Sequence, residues 1–120
     1  MKVVYIAGKF TAPTIWQLSE NVREAQRWAL RVAECGAMPL CPHSNSAGGL
    51  YHDQLTPEFW YDGTLELLAR CDGALFIPNW MESKGARAEH VFCEQRGIEV
   101  FGAAHVPDEL ARWARVESRS

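Results

Sequence analysis

A chain of 120 residues with 48 % hydrophobic and 22 % charged residues has room for one ordinary globular domain and little more. Its formal charge is −3, with Lys and Arg dispersed among Asp and Glu, so there is no basic block to track phosphates and nucleic acid is not an expected partner. Four cysteines stand singly at 35, 41, 71 and 93, without zinc spacing, and the apolar run in "MKVVYIAG" is too short for a signal peptide or a membrane span. The expectation is a reducing, cytoplasmic location with no membrane partner.

"KVVYIA" at 2–7 is almost uninterruptedly apolar and β-branched, the pattern of a strand buried on both faces. Gly8 ends it, and "KFTAPTIWQ" reads as a loop, after which Ser19 or Asn21 is a candidate cap. Val22, Ala25, Ala29 and Val32 then recur at three- and four-residue intervals, predicting a helix over about 20–35 that Gly36 closes. "AMPLC" at 37–41 is a short second strand, followed by a long polar loop, "PHSNSAGGLYHDQL". Loops of that length tend to be functional or mobile. Thr56 before Pro57 marks a helix start, a cap followed by a first-position proline, and this helix should end near Arg70. "DGALFI" at 72–77 is the third strand, and Ser83 is a plausible cap for a helix running to Arg96 and closed by Gly97. "IEVFGA" at 98–103 is a fourth strand, and Pro107 opens a last helix carrying Leu110, Trp113 and Val116.

The βαβαβαβα order, with no repeat and no linker, predicts a single α/β domain over 1–120. Its sheet should be parallel and four-stranded, in the order 2-1-3-4, with helices on both faces. Ligands of such sheets bind beyond the carboxyl ends of the strands. That edge should gather the loops at 8–16, 42–55 and 78–85, and the segment around 102–107.

The stretch "NWMESKGARAEHVF" enters its helix at that edge. With Ser83 as cap, Gly85 and Glu89 are four apart and share a face. A glycine costs a helix about 1 kcal/mol relative to alanine, so it needs a local reason. One reason is that a Cβ would collide with a ligand lying over Glu89, whose carboxylate then suits attack on an electrophilic sugar carbon. Ser83 and the free N–H groups beside it could hold a phosphate or a sugar hydroxyl. The competing explanation is that Gly85 permits close packing while Glu89 is solvated or paired with Lys84 or Arg96.

"KVVYIAGKFTAP", "NVREAQRWALRVAECGAMPLCPHSNS", "CDGALFIPNWMESKGARAEH" and "GIEVF" together cover roughly residues 2–101. In this order and spacing the chain resembles the nucleoside 2-deoxyribosyltransferase superfamily. The likeness is to small phage and bacterial relatives of the nucleoside 2-deoxyribosyltransferase-like and nucleotide N-hydrolase type. The resemblance implies a Rossmann-like (flavodoxin-like) three-layer sandwich and a homodimer or higher homo-oligomer. It also implies cleavage or exchange of the bond between a sugar and a base, with Glu89 as nucleophile. Ser83 would help hold a 5′-phosphate, Gly8 would shape the substrate loop, and Tyr5 lies on the strand leading into it. Characterised members carry an aspartate in the preceding helix at the position that is Thr64 here, with Asp62 two residues away. Asp62 and Thr64 are therefore the catalytic candidates beside Glu89.

Several other residues have two roles open. Asp72 is either a structural carboxylate accepting backbone N–H groups or part of the site. His43, just past strand two, could contact a base or phosphate, with Asn45 offering an amide nearby, or could be a surface residue. Trp80 and Trp16 could stack on a base or simply pack, while packing is preferred for Trp28, Trp60 and Trp113. His90 should point roughly 100° away from Glu89 around the helix. His52 and His105 have no companions at ligand spacing, so no metal is expected. "YIAGKFTAP" lacks the further glycines of a dinucleotide turn and the Walker pattern, so no cofactor is expected either.

The leading functional reading is N-glycosidic cleavage or base exchange on a small (deoxy)nucleoside or nucleoside 5′-monophosphate through a covalent intermediate on Glu89. The alternative is a nucleotide or sugar-phosphate binding protein of the same fold with little turnover, because Thr64 cannot act as a general acid near neutral pH. A third is a structural or partner-binding protein.

Overall fold

The apolar opening run becomes an interior strand, β1 (Val3–Ala7), which is paired on both edges. The computed structural model describes residues 1–43 and 55–116. β1 is followed by α1 (Ile15–Glu34), β2 (Met38–Leu40), α2 (Pro57–Ala69), β3 (Gly73–Phe76), α3 (Lys84–Arg96), β4 (Glu99–Gly102) and α4 (Asp108–Arg115). Short 3-10 turns at Trp80–Glu82 and Ala103–His105 precede α3 and α4. All pairings are parallel in the order β2-β1-β3-β4, with Tyr5 opposite Leu40 on one side and Ala74 on the other. This is the predicted α/β sandwich, Rossmann-like in its topology.

Alternation along the strands divides the core in two. Val4 and Ile6 of β1, with Leu75, Ile77 and Phe101, pack under Ala25, Trp28 and Val32 of α1 and Leu110 of α4. Tyr5 and Ala7, with Ala74 and Phe76, face the opposite way, toward Leu68 of α2 and Cys93 of α3. A one-residue change of register would exchange these faces, so the strand period alone sends Tyr5 to the α2–α3 side.

Helix ends follow local chemistry. Thr56 Oγ1 accepts from Phe59 N at 3.2 Å and Pro57 occupies the first turn of α2. Ser83 Oγ accepts from Ala86 N at 3.1 Å, and Gly97 closes α3 in the left-handed conformation with φ 69°. The start of α1 departs from expectation. The helix begins five residues early, capped by Thr14, whose hydroxyl accepts from Gln17 N at 3.1 Å, and neither Ser19 nor Asn21 is its cap. Ile15 and Trp16 are exposed, so the first turn carries no apolar stripe to betray it. Among the described residues, no helix is long and apolar enough to cross a membrane.

Candidate functional site

Beyond β1, between α2 and α3, lies a cavity of about 430 Å³. That is within the ~300–1,000 Å³ typical of small-molecule sites. Four segments build it, one of them Pro42 and His43 just after β2. The strand end and its turn bring Tyr5, Gly8, Phe10 and Thr11, and the start of α3 brings Ser83, Gly85, Ala86 and Glu89. α2 presents Pro57, Trp60, Tyr61 and Thr64, spaced to share one helix face.

The centre of the site is the contact between Tyr5 and Glu89. The Tyr5 hydroxyl donates to Glu89 Oε2, joining residues 84 apart in sequence. Both side chains are buried, Glu89 being 9 % exposed. Burial pushes the Glu89 carboxyl up to about 7, and the hydrogen bond from Tyr5 acts in the opposite direction. Burial, followed by the Glu89 charge, raises the Tyr5 phenol well beyond its usual range, while the Thr64 hydroxyl acts the other way. Tyr5 therefore remains a proton-bearing donor at any ordinary pH. No partnership of Glu89 with Lys84 or Arg96 is among its described contacts; its polar partner is Tyr5.

Gly85 is exposed, and a Cβ built on it would meet nothing nearer than Ser83 Oγ at 3.8 Å. Packing therefore does not require this glycine, which leaves open space on the cavity side of α3. Gly8 is the opposite case. A Cβ there would lie 2.5 Å from Ile77 Cγ1 and 2.9 Å from Asn79 Oδ1, so close approach of the two strand ends demands glycine. Asn79 also accepts from Lys9 N at 3.0 Å, and Lys9 Nζ pairs with Glu82 at 3.1 Å. These contacts fasten the first loop to the segment leading into α3.

His43 is 4 % exposed and borders the cavity from helical backbone at 42–43, so it is not a surface residue. Its Nε2 lies 3.0 Å from the Lys9 carbonyl, which can only accept, so this nitrogen carries the proton. Nδ1 is a buried acceptor without a partner among the described residues. Burial lowers the His43 pKa, keeping the ring neutral.

Tyr5, Gly8, His43, Thr64, Ser83, Gly85 and Glu89 thus border one space. The other candidates fall elsewhere. Asp62 is exposed and is not among the residues lining the cavity, because two positions along a helix do not share a face. Asp72 Oδ2 accepts from Val3 N at 2.8 Å, at the amino ends of the strands, the structural role of its two readings. Trp80 stacks on His90 at 4.7 Å and meets the Phe76 edge, also off the cavity. Trp16 is 67 % exposed near Arg23. Asn45 and His52 lie outside the described residues. Trp60 reverses its expected role: it lines the cavity, as do Tyr61 and Phe10. The signal for Trp60 and Tyr61 was present in the sequence, since Thr56–Pro57 fixes the phase of α2. That phase aligns positions 57, 60, 61 and 64.

Among the described residues, no three His, Cys, Asp or Glu side chains gather so as to hold a metal ion. The four cysteines are free. The arrangement can hold a flat apolar group between α2 and the first loop and place a carboxylate oxygen against it. Among curated proteins no match to the sequence is found. The model of one family, described as a domain of unknown function (DUF4406), matches residues 2–102. The match runs from the first strand through the last, and the chain belongs to the DUF4406 family.

Proposed function

We propose that the protein cleaves or exchanges the N-glycosidic bond of a small nucleoside or nucleoside 5′-monophosphate, with Glu89 as the nucleophile. The observation that carries this reading is the Glu89 carboxylate, buried in the wall of an aromatic cavity, with Oε2 engaged by Tyr5. Tyr5 fixes the carboxylate's orientation, and Oε1 is the oxygen for attack on the anomeric carbon. Gly85 clears the space that the sugar needs. Water or a second base then releases the sugar from Glu89, and two displacements give net retention. The sequence resemblance to the nucleoside 2-deoxyribosyltransferase superfamily supports the same chemistry. A homodimer belongs to this reading, since exposed Ile15, Trp16, Phe59 and Met81 offer apolar surface to a second copy. So does a reducing, cytoplasmic location, which suits four free cysteines.

A second reading, a nucleotide or sugar-phosphate binder with little turnover, is favoured by one observation. Asp62 is off the cavity, and Thr64 donates to the Tyr61 carbonyl at 2.9 Å. One assay separates the two: release of free base from a panel of nucleosides and their 5′-phosphates, by wild type and Glu89→Gln. The enzymatic reading expects turnover that drops by orders of magnitude in the variant while affinity is retained. Turnover unchanged in Glu89→Gln would overturn it, and ligand binding without any turnover would select the binder.

A further inference from the structure

α2 leads into β3 and α3 follows it, so both helices run against the parallel strands and start at the mouth of the cavity. Depth can therefore be read along α2. Thr64 stands beside the Tyr5 hydroxyl, which engages Glu89, so its level is the reactive floor. Trp60 and Tyr61 lie about one turn above that floor. Pro57 lies about 10 Å above it at 1.5 Å per residue, with Leu55 just before it in the chain.

Each level has its own chemistry. Tyr5, Thr64 and Glu89 at the floor suit the polar, reacting sugar. On the α3 wall, the Ser83 hydroxyl and the first-turn N–H groups suit sugar hydroxyls or a 5′-phosphate, which directs the base to the α2 wall. There Trp60 and Tyr61 offer flat ring faces, and the Tyr61 phenol can hydrogen-bond to the base edge. Higher up, Leu55 and Pro57 line the cavity on the α2 side and Phe10 lines it from the first loop, all three apolar. Leu55 is 36 % exposed and Pro57 is exposed, so this level is open to a ligand rather than used up in the core.

A purine reaches from C1′ to its 6-amino group across roughly one helical turn of 5.4 Å. With C1′ at Glu89, a bare purine therefore ends at Trp60 and Tyr61, one turn short of Pro57. Resting on the N-glycosidic reading above, we propose that the level of Leu55 and Pro57 is a subsite for an apolar substituent on the base. The substrate is then a purine nucleoside, or its 5′-phosphate, whose 6-amino group carries an alkyl or arylmethyl group. That group buries apolar surface against Leu55, Pro57 and Phe10 that a bare base leaves in water. The reaction is the one already described: the C1′–O bond to Glu89 forms as the C1′–N bond breaks, and the purine keeps the electron pair. With water as acceptor, its hydroxyl ends on C1′, its proton on the departing purine, and Glu89 is released as carboxylate.

Two measurements test this on the intact chain. The first is calorimetric binding of adenine and of 6-benzylaminopurine, free bases that need neither sugar nor turnover. The benzylated base should bind wild type at least about 10-fold tighter, from burial of its added ring. Leu55→Ser, an exposed position ahead of α2, should reduce that preference at least 3-fold while leaving adenine unaffected. The second is base release from adenosine, 2′-deoxyadenosine and their 6-N-benzyl derivatives, each with and without a 5′-phosphate. The benzylated compounds should show kcat/KM at least 10-fold above their parents, and Glu89→Gln should abolish release. Equal binding of the two bases, with Glu89-dependent release from all nucleosides at comparable efficiency, would overturn the subsite and leave the N-glycosidic reading standing. A benzyl preference unchanged in Leu55→Ser would overturn it too, by placing the substituent elsewhere. Equal binding together with a dimer that Leu55→Ser dissociates in light scattering would overturn it in favour of a second copy covering this level. A Leu55-dependent preference without release from any nucleoside would remove the N-glycosidic reading, and the substrate with it, while the apolar subsite stood.

Discussion

Replacing Glu89 with Gln should change how stability depends on pH, independently of any activity. The carboxyl is buried against Tyr5, and burial raises it from 4.5 to about 7. In the unfolded chain it ionises near its ordinary value, so between these limits the native state holds a proton that the unfolded state has lost. A proton bound more tightly by the folded state makes stability fall as pH rises. The favourable contribution is complete below about 4.5 and is lost as pH passes through about 7. Each tenfold change in proton affinity is worth 1.36 kcal/mol, so the full difference is about 3 kcal/mol. Most of it lies between pH 5 and pH 8. Gln has the same size, can still accept from the Tyr5 hydroxyl and does not titrate. Urea unfolding of wild type and Glu89→Gln at both pH values isolates the effect, because other titrating groups cancel in the comparison. The stability of Glu89→Gln relative to wild type should increase by roughly 2–3 kcal/mol from pH 5 to pH 8. A difference that stays constant within about 0.5 kcal/mol, or moves the other way, would refute the burial of a carboxyl with raised proton affinity.

Gly85→Ala should leave the fold intact or stabilise it by up to ~1 kcal/mol, since alanine is the better helix former and its Cβ meets only Ser83 Oγ at 3.8 Å. Its kcat/KM for base release should nevertheless fall, so a raised Tm with undiminished turnover would show that this space is not used by substrate. Gly8→Ala should cost about 1–3 kcal/mol in urea unfolding, because the methyl group would overlap Ile77 at 2.5 Å. Asp72→Ala should lose about 1–3 kcal/mol by stranding the Val3 N–H, whereas Asp72→Asn, which keeps an acceptor, should lose much less. Thr64→Asp restores an acid on the cavity face of α2, and should raise turnover of neutral nucleosides within the ~10²–10⁴ range of a positioned acid. An unchanged rate on 2′-deoxyadenosine would show that proton delivery is not what limits that reaction.

Much of this fold is written locally. The apolar run of β1, the Thr56–Pro57 start of α2, the Ser83 cap and the Gly97 stop of α3 each depend on a few neighbouring residues. Alternating strands and helices then leave little choice but a parallel sheet with helices on both sides. The spacing of Gly85 and Glu89 on one helix face was legible for the same reason, because helical phase is a local property. The start of α1 was not legible, since Ile15 and Trp16 stay exposed and the first turn is marked by the Thr14 cap rather than by an apolar stripe. Tertiary structure decided the rest. Only the packing of α3 on the sheet brings Glu89 to Tyr5, buries both and raises the carboxyl toward neutrality. Only the approach of the β1 and β3 ends makes Gly8 obligatory, whereas a Cβ at Gly85 would meet only Ser83 Oγ at 3.8 Å, although the two glycines look alike in sequence. Helical phase already puts Asp62 and Thr64 on different faces, but only the packing of α2 decides that the face of Thr64 turns to the cavity. Caps and periodicity act within a few residues, whereas proton affinity and steric demand are set by atoms that arrive from distant parts of the chain.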